Sequence, residues 1–204
     1  MTVIDICNNA LADIGHDREI TSLDPSADTS SEARRCALFY PRALSDVIHA
    51  HPWRFITQTV PGDSVLVTTV DPLPGFESVY APPAQSAAIQ SAIDESGDPV
   101  PYTMQDGLIH ARRDVDTFAF TSADLAADPS LWPPPFAEAV IAALALRLAR
   151  VITGSDAAAK TAAQAYAQAI AAARRHDRMT SSSTPGESNP YLSARSATSD
   201  QSCS

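Results

Sequence analysis

The stretch PPPFAEAVIAALALRLARVI, residues 133–152, decides the fold, because it predicts a long helix. Proline is favoured in the first turn of a helix, so the three prolines mark a helix start. Large apolar side chains then recur at helical spacing, at Phe136, Val140, Ile141, Leu144, Leu148, Val151 and Ile152. We expect this helix, the third of the chain, to end at Gly154.

The following segment predicts a fourth helix of about twenty residues, which Ser155 can cap. At about 1.5 Å per residue its length is roughly 30 Å. Its apolar face is nearly all alanine, with Tyr166 and Ile170 as the only large members. Alanine faces let helices approach closely but bury little area, so this helix needs neighbours to be stable.

Two further helices are predicted near the amino terminus. Thr2 followed by Asp5 can cap the first, which Gly15 closes. The second covers about residues 30–50 and contains Pro41. Because proline removes a backbone donor and crowds the preceding turn, we expect a kinked helix here and not two separate helices.

The middle of the chain changes toward the period of two that is typical of strands. The strand candidates are Val65–Val70, Phe76–Tyr80, Val100–Met104, Leu108–His110 and Phe118–Thr121. Asp106-Gly107 is a good hairpin turn. Residues 81–92 combine two prolines with alanines that suit a short helix, and they stay unassigned. Proline in the middle and alanine toward the carboxyl end together indicate an α+β pattern.

The charge is acidic and unevenly distributed. The net charge is −10, and residues 1–133 hold nineteen acidic and seven basic side chains, a net −12. Residues 134–178 hold six basic and three acidic ones, a net +3, and the remainder is −1. Duplex DNA is held mainly by Lys and Arg on phosphates, so this chain is a poor candidate for tight DNA binding.

Three cysteines have neither the even count nor the close spacing of a disulfide framework or zinc site, and we interpret them as reduced thiols. No apolar run reaches the roughly 18 residues that span a bilayer, and the start lacks the basic region of a secretory signal. We expect a soluble protein made in the cytoplasm.

The best candidate for catalysis or metal binding is the group Asp46, His49 and His51. Asp46 and His49 lie one helical turn apart, but His51 points away, and a metal site needs further ligands. Histidines favoured by a helix end and packed near Trp53 are the simpler interpretation. Cys36 could be a nucleophile in principle, but its place in a helical repeat favours a small buried hydrophobe. We expect no catalytic, cofactor-binding or metal-binding residues.

Arg174, Arg175 and Arg178 form a basic cluster at the end of the fourth helix. They suit binding of phosphate or of an acidic partner, and they equally suit the negative end of a helix dipole, so both interpretations stay open. After Met179 the chain is rich in Ser and Thr, and we expect it to be disordered alone. Tyr191-Leu192 is its one sizeable apolar pair.

Several short motifs occur in a fixed order along the chain. Their order and spacing carry information in addition to the physical properties of the residues. They are ICNNALADIG at 6–15, ITSLD at 20–24, SEARRC at 31–36 with Phe39-Tyr40, and HPW at 51–53 with Phe55. Toward the carboxyl end follow LWPPPF at 131–136, the alanine-rich run 139–149, TGS at 153–155 and a helix ending in ARR at 173–175. In order and spacing they resemble the tail tubular protein A family of short-tailed phages.

The resemblance implies a fold and a division of the chain. It implies an α+β fold that is mainly a helical four-helix bundle, with an inserted small β region and an extended carboxyl-terminal tail. The amino-terminal bundle helices would lie in residues 1–56, the inserted β region in 57–133, the carboxyl-terminal bundle helices in 134–178 and the tail in 179–204.

The resemblance also implies a function. It implies a structural virion protein, a head-to-tail adaptor (connector) made in the host cytoplasm. Its ring, usually of twelve copies, lies between the portal above and the tail nozzle or tail tube below. DNA passes through its centre during ejection. We expect no enzymatic activity, no cofactor and no membrane. Related adaptors occur in long-tailed phages and gene-transfer particles, so either tail type fits.

Partner binding is assigned to Arg174, Arg175, Arg178, Tyr191 and Leu192, which would contact the portal or a neighbouring subunit. The alternative function is a DNA-packaging or DNA-binding accessory protein of the phage head, which would use the three arginines on phosphates. A metal-dependent hydrolase based on Asp46 and His49 is a further rival, which metal analysis distinguishes.

Overall fold

The computed structural model describes residues 1–180, in which the longer helices gather around one central helix. The helices are α1 (Val3–Asp13), α2 (Ser31–His49), α3 (Ala123–Ala127), α4 (Pro134–Thr153) and α5 (Asp156–Thr180). Helices α1, α2 and α5 each pack against α4. Eleven of the 20 residues of α4 are buried, against four of the 25 residues of α5. Helix α4 is therefore the centre of the helical core.

Between α2 and α3 the chain forms two antiparallel sheets. The strands are β1 (Thr57–Pro61), β2 (Ser78–Tyr80), β3 (Ser86–Ile93), β4 (Tyr102–Gln105), β5 (Leu108–Ala111) and β6 (Thr117–Ser122). One sheet has the order β1-β6-β3 and the other β2-β5-β4. They enclose a second hydrophobic core, whose large members include Tyr80, Ile109, Phe118 and Phe120. The rings of Tyr80 and Phe118 meet edge to face at 4.9 Å.

The prediction of a mainly helical four-helix bundle is wrong. The described residues form five α-helices and two three-stranded antiparallel sheets, with about 50% helix and 18% strand. The β part, which is residues 57–133, has its own core, so it is a second packed body and not a small insertion on a bundle. Helix α4 is also a buried central helix, whereas the helices of a bundle share one core as equivalents.

The predicted helix limits are confirmed where local signals set them. Thr2 Oγ1 accepts from the Asp5 backbone N–H at 3.2 Å, and the Asp5 carboxylate accepts from the Thr2 N–H at 2.7 Å, which completes a capping box. Helix α2 runs through Pro41 as one helix. The proline-led start of α4 and its end at Gly154, in the left-handed conformation with φ 65°, also agree with expectation.

The strand predictions are only partly confirmed. Predicted strand 65–70 is wrong, because that segment makes only an isolated bridge from Leu66 to Tyr80 and leaves Leu66 and Val70 exposed. The unassigned segment 81–92 contains most of β3, which pairs with β6. The hairpin turn between β4 and β5 is confirmed, since Asp106 and Gly107 both have positive φ, at 54° and 78°.

Cys7 and Cys36 are fully buried free thiols on α1 and α2, and Cys203 lies outside the described residues. The hydrogen bond with Cys36, together with burial, raises the pKa of the Cys7 thiol. Cys36 thus packs as the small hydrophobe that its helical position predicts. Across residues 1–180, none of the helices has the length and apolar character needed to cross a membrane.

Gly62 lies at a close approach of two backbone segments in the β part. Its N–H donates to the Asp116 carbonyl at 2.7 Å. A Cβ added there would lie 1.8 Å from the Val115 carbonyl oxygen, which is backbone and has no rotamer to move away. The turn after β1 therefore needs glycine for space and not for a positive φ.

We expect Gly62→Ala to lower the free energy of unfolding by about 3 kcal/mol, because the strands must separate to admit the methyl group. The matched control is Gly97→Ala, where φ is 85° but nothing lies within 4 Å of the new Cβ. That variant should lose only about 1 kcal/mol, from the left-handed backbone. Urea denaturation of both variants measures the difference, and equal losses would contradict the steric argument.

Tyr40 carries a buried hydroxyl that makes no hydrogen bond within residues 1–180. Burial, with a smaller effect of Cys7, raises the pKa of Tyr40 from 10.0 to about 12. The folded chain therefore holds this proton more tightly than the unfolded chain does. This contribution to stability is complete below pH 10 and is lost as the pH rises toward 12.

We expect Tyr40→Phe to raise the free energy of unfolding by up to about 1 kcal/mol at pH 7, because it removes an unpaired buried hydroxyl and keeps the ring. Between pH 10 and 12 the variant should also lose less stability than the parent protein. Denaturation at pH 7, 10 and 11 tests both points. A variant less stable than the parent at pH 7 would show that the hydroxyl has a partner.

Candidate partner-binding surface

An aromatic cluster forms where α4 begins. The ring of Phe136, at the first turn of α4, meets Trp53 at 5.0 Å, Phe55 at 4.8 Å and Trp132 at 5.1 Å, each edge to face. Trp53 is fixed further by its indole N–H, which donates to the Val47 carbonyl at 2.7 Å. The cluster joins the end of α2, the start of α4 and the segment that leads into β1, and all four rings pack in the helical core.

A cavity of about 250 Å³ opens beside this cluster. Its residues come from the segment after α2, the start of α4 and the last two turns of α5. They are Trp53, Arg54, Phe55, Pro133, Phe136, Ala173, His176, Asp177 and Thr180. The walls are mainly aromatic and aliphatic, with polar groups along the α5 side.

Asp177 ties the end of α5 to the segment that leads into β1. Its side chain is only 9% exposed. One carboxylate oxygen accepts from the Arg54 backbone N–H at 3.1 Å, and the other lies 3.1 Å from His51 Nε2. The His51 ring packs edge to face on Trp53 at 4.9 Å. The buried carboxylate thus holds the polar wall of the cavity in place.

The three arginines assigned to partner binding do not act as one patch. Arg174 turns inward and donates to the Ala50 carbonyl at 2.6 Å, where it satisfies the carboxyl end of α2. Arg175 and Arg178 are exposed near the end of α5. Tyr191 and Leu192 lie outside the described residues, as does most of the tail predicted from residue 179. The structure therefore gives Arg174 an internal role.

The candidate metal or acid–base group is dispersed. Asp46 pairs with Arg147 of α4, and His49 Nδ1 lies 2.8 Å from the Ser45 carbonyl oxygen of its own helix. His51 faces Asp177 instead. Across residues 1–180 no three His, Cys, Asp or Glu side chains come close enough together to hold a metal ion.

Asp177 is the residue that the sequence reasoning missed. A signal was present, since a carboxylate in the last turn of a helix opposes the helix dipole and needs a compensating partner. Arg174, Arg175 and Arg178 surround it in sequence and suggest pairing within the helix. Its actual partners, at His51 and Arg54, are more than 120 residues away along the chain.

Helix α5 presents a long uncharged face to solvent. Ala163, Ala167 and Ala171 are exposed and spaced at i, i+4 and i+8, with Gln164 and Gln168 beside them. Next to this face, a groove of about 330 Å³ runs between α4 and α5 beyond the end of α1. Its walls are mostly alanine, and burial raises the pKa of Asp13 at its edge.

The excess of acidic side chains is concentrated in the β part of the chain. Residues 57–133 carry eleven acidic and two basic side chains, whereas residues 1–56 and 134–180 together carry eleven of each. At the end of the β part, Asp63, Asp94, Glu95, Asp114 and Asp116 lie close together, and Arg113 pairs with Asp94 at 3.0 Å. Each molecule therefore has a strongly acidic part and an electrically balanced part.

We expect Asp177→Ala to lower the free energy of unfolding by about 3 kcal/mol, because the Arg54 N–H and His51 lose a buried partner. Asp177→Asn, which keeps an acceptor oxygen, should lose less. The matched control is Asp46→Ala, whose pair with Arg147 is 48% exposed at the carboxylate, and its loss should be under about 1 kcal/mol. Thermal unfolding ranks the three, and an equal effect of Asp177→Ala and Asp46→Ala would refute this role.

A comparison with protein-family models finds none that matches the chain, and a comparison with curated proteins finds no match either.

Proposed function

We propose that this protein is a subunit of the ring that joins the portal to the tail in a tailed-phage particle. The proposal starts from the motifs quoted above, whose order and spacing resemble the tail tubular protein A family. The ring of about twelve copies and the portal and tail partners come from that resemblance.

The observation that carries the proposal is the exposed face of α5. This helix has 25 residues, of which only four are buried, and it rests mainly on α4. Helices in proteins owe most of their stability to packing, and alanine faces allow a neighbouring helix to approach closely. A long helix with an uncharged outer face suits a subunit that is completed by contact with adjacent copies.

The charge distribution also supports a role around DNA without tight binding. The β part carries a net −9 and the helical part carries no net charge. Acidic or neutral channel walls let DNA slide, whereas rows of cations on phosphates would hold it. The rival function as a DNA-binding accessory is weakened, because Arg174 is engaged by the Ala50 carbonyl.

We expect the purified protein to be monomeric and to form its ring on the portal, because like-charged subunits repel until a template aligns them. Sedimentation of the protein alone and negative-stain images of the mixture with portal rings test this expectation. A stable twelve-copy ring without portal would contradict the idea that the portal serves as the template for assembly. Portal rings that never acquire additional density would contradict the adaptor function itself.

We expect Ala167→Glu to reduce ring formation on the portal at least tenfold in the concentration required, because it places a charge on the exposed α5 face. The matched control is Gln105→Glu, which adds the same charge at an exposed position of β4 and should assemble normally. Circular dichroism checks that both variants fold. If both assemble equally well, α5 is not the contact face.

A further inference from the structure

The cavity beside Phe136 lies where the described chain ends. Thr180 is the last residue of α5, and it contributes to the cavity together with Ala173, His176 and Asp177. The polypeptide therefore continues from the rim of an apolar cavity. Whatever follows Thr180 starts within reach of it.

The size and walls of the cavity select the kind of group that fits. Its volume of about 250 Å³ is below the range of roughly 300–1,000 Å³ typical of small-molecule pockets, so it suits one or two side chains. Trp53, Phe55 and Phe136 supply aromatic walls, and aromatic rings prefer edge-to-face or offset contact with one another. His176 and Thr180, which are both exposed, add polar groups to its lining. An aromatic side chain with a polar end matches both features.

The chain after Thr180 contains one segment of this character. Residues 181–204 are mostly Ser, Thr and other small or polar residues, and Tyr191-Leu192 is their only pair of large apolar residues. Ten residues separate Thr180 from Tyr191, which at roughly 3.3–3.6 Å each is more than enough to fold back. A short tether of this length also holds the pair at an effective concentration on the order of millimolar.

We propose that Tyr191 and Leu192 dock in this cavity of their own chain, with the Tyr191 ring against Trp53, Phe55 and Phe136. The tyrosine hydroxyl then stays at the mouth near His176 and Thr180. The docked pair then covers the last two turns of α5 and the residues around Arg54. This inference concerns the single chain and does not depend on the adaptor function.

The first test is site-specific photo-crosslinking in the full-length protein. Benzoylphenylalanine replaces Tyr191 in one variant and Thr198, in the same tail, in a control variant. We expect the probe at 191 to crosslink within the monomer to peptides that contain residues 53–55, 133–136 or 173–180. The probe at 198 should give scattered products. Products from 191 that are equally scattered, or that join two chains, would overturn docking in the same chain.

A second test needs no probe. The full-length double variant Tyr191→Ala with Leu192→Ala should be cleaved by trypsin after Arg178 about tenfold faster than the parent, because the end of α5 is no longer covered. Cleavage after Arg18, which is exposed in a loop and does not line the cavity, is the internal reference for protease activity. Ser193→Ala is the matched control and should behave as the parent does. Equal cleavage after Arg178 in parent and double variant would refute the proposal.

Discussion

The contact of Phe136 with Trp53, Phe55 and Trp132 is the interaction on which the rest of the structure depends. Phe136 lies in the first turn of α4, the helix against which α1, α2 and α5 pack. Its three ring partners come from both sides of the β part, from the segment before β1 and from the segment after α3. The same ring therefore fixes the start of the central helix against the two segments through which the chain enters and leaves the β part.

Asp177 extends this junction to the far end of the chain. A carboxylate this well buried is tolerated only with partners, and the Arg54 N–H and His51 supply them. Because Arg174 also donates to the Ala50 carbonyl, the last turns of α5 are joined by hydrogen bonds to Ala50, His51 and Arg54, at and after the end of α2. The carboxyl-terminal half of α5 is therefore anchored, while its outer face stays open to solvent. This division suits a helix that is rigid and still available for contact.

The sequence predicts those structural features that are determined by interactions between residues close together in the chain. The cap of α1, the proline start of α4 and the Asp106-Gly107 turn are each set within a few residues, and all three are confirmed. Strand β3 is different, because SAAIQSAI has weak strand propensity and becomes a strand by pairing with β6 some thirty residues later. The wrong fold class has the same origin, since the second core assembles from segments far apart in sequence.

The arrangement of the basic cluster at the end of α5 could not be predicted from the sequence, for a related reason. Its arginines are visible in the sequence, but the orientation of Arg174 toward Ala50 depends on how α2 and α5 meet. The adaptor function stays a proposal that rests on motifs and surface character.

The pairing of β1 with β6 has an evolutionary consequence. The chain enters the β part at Thr57 and leaves it through Thr121, and these two residues are register partners on adjacent strands. The entry and exit points are therefore neighbours, as they are in a module inserted at one place in a host protein. A lineage can lengthen, shorten or exchange everything between them while the helical core keeps its connections. The acidic β part can thus change in size or composition without a break in the helices that carry it.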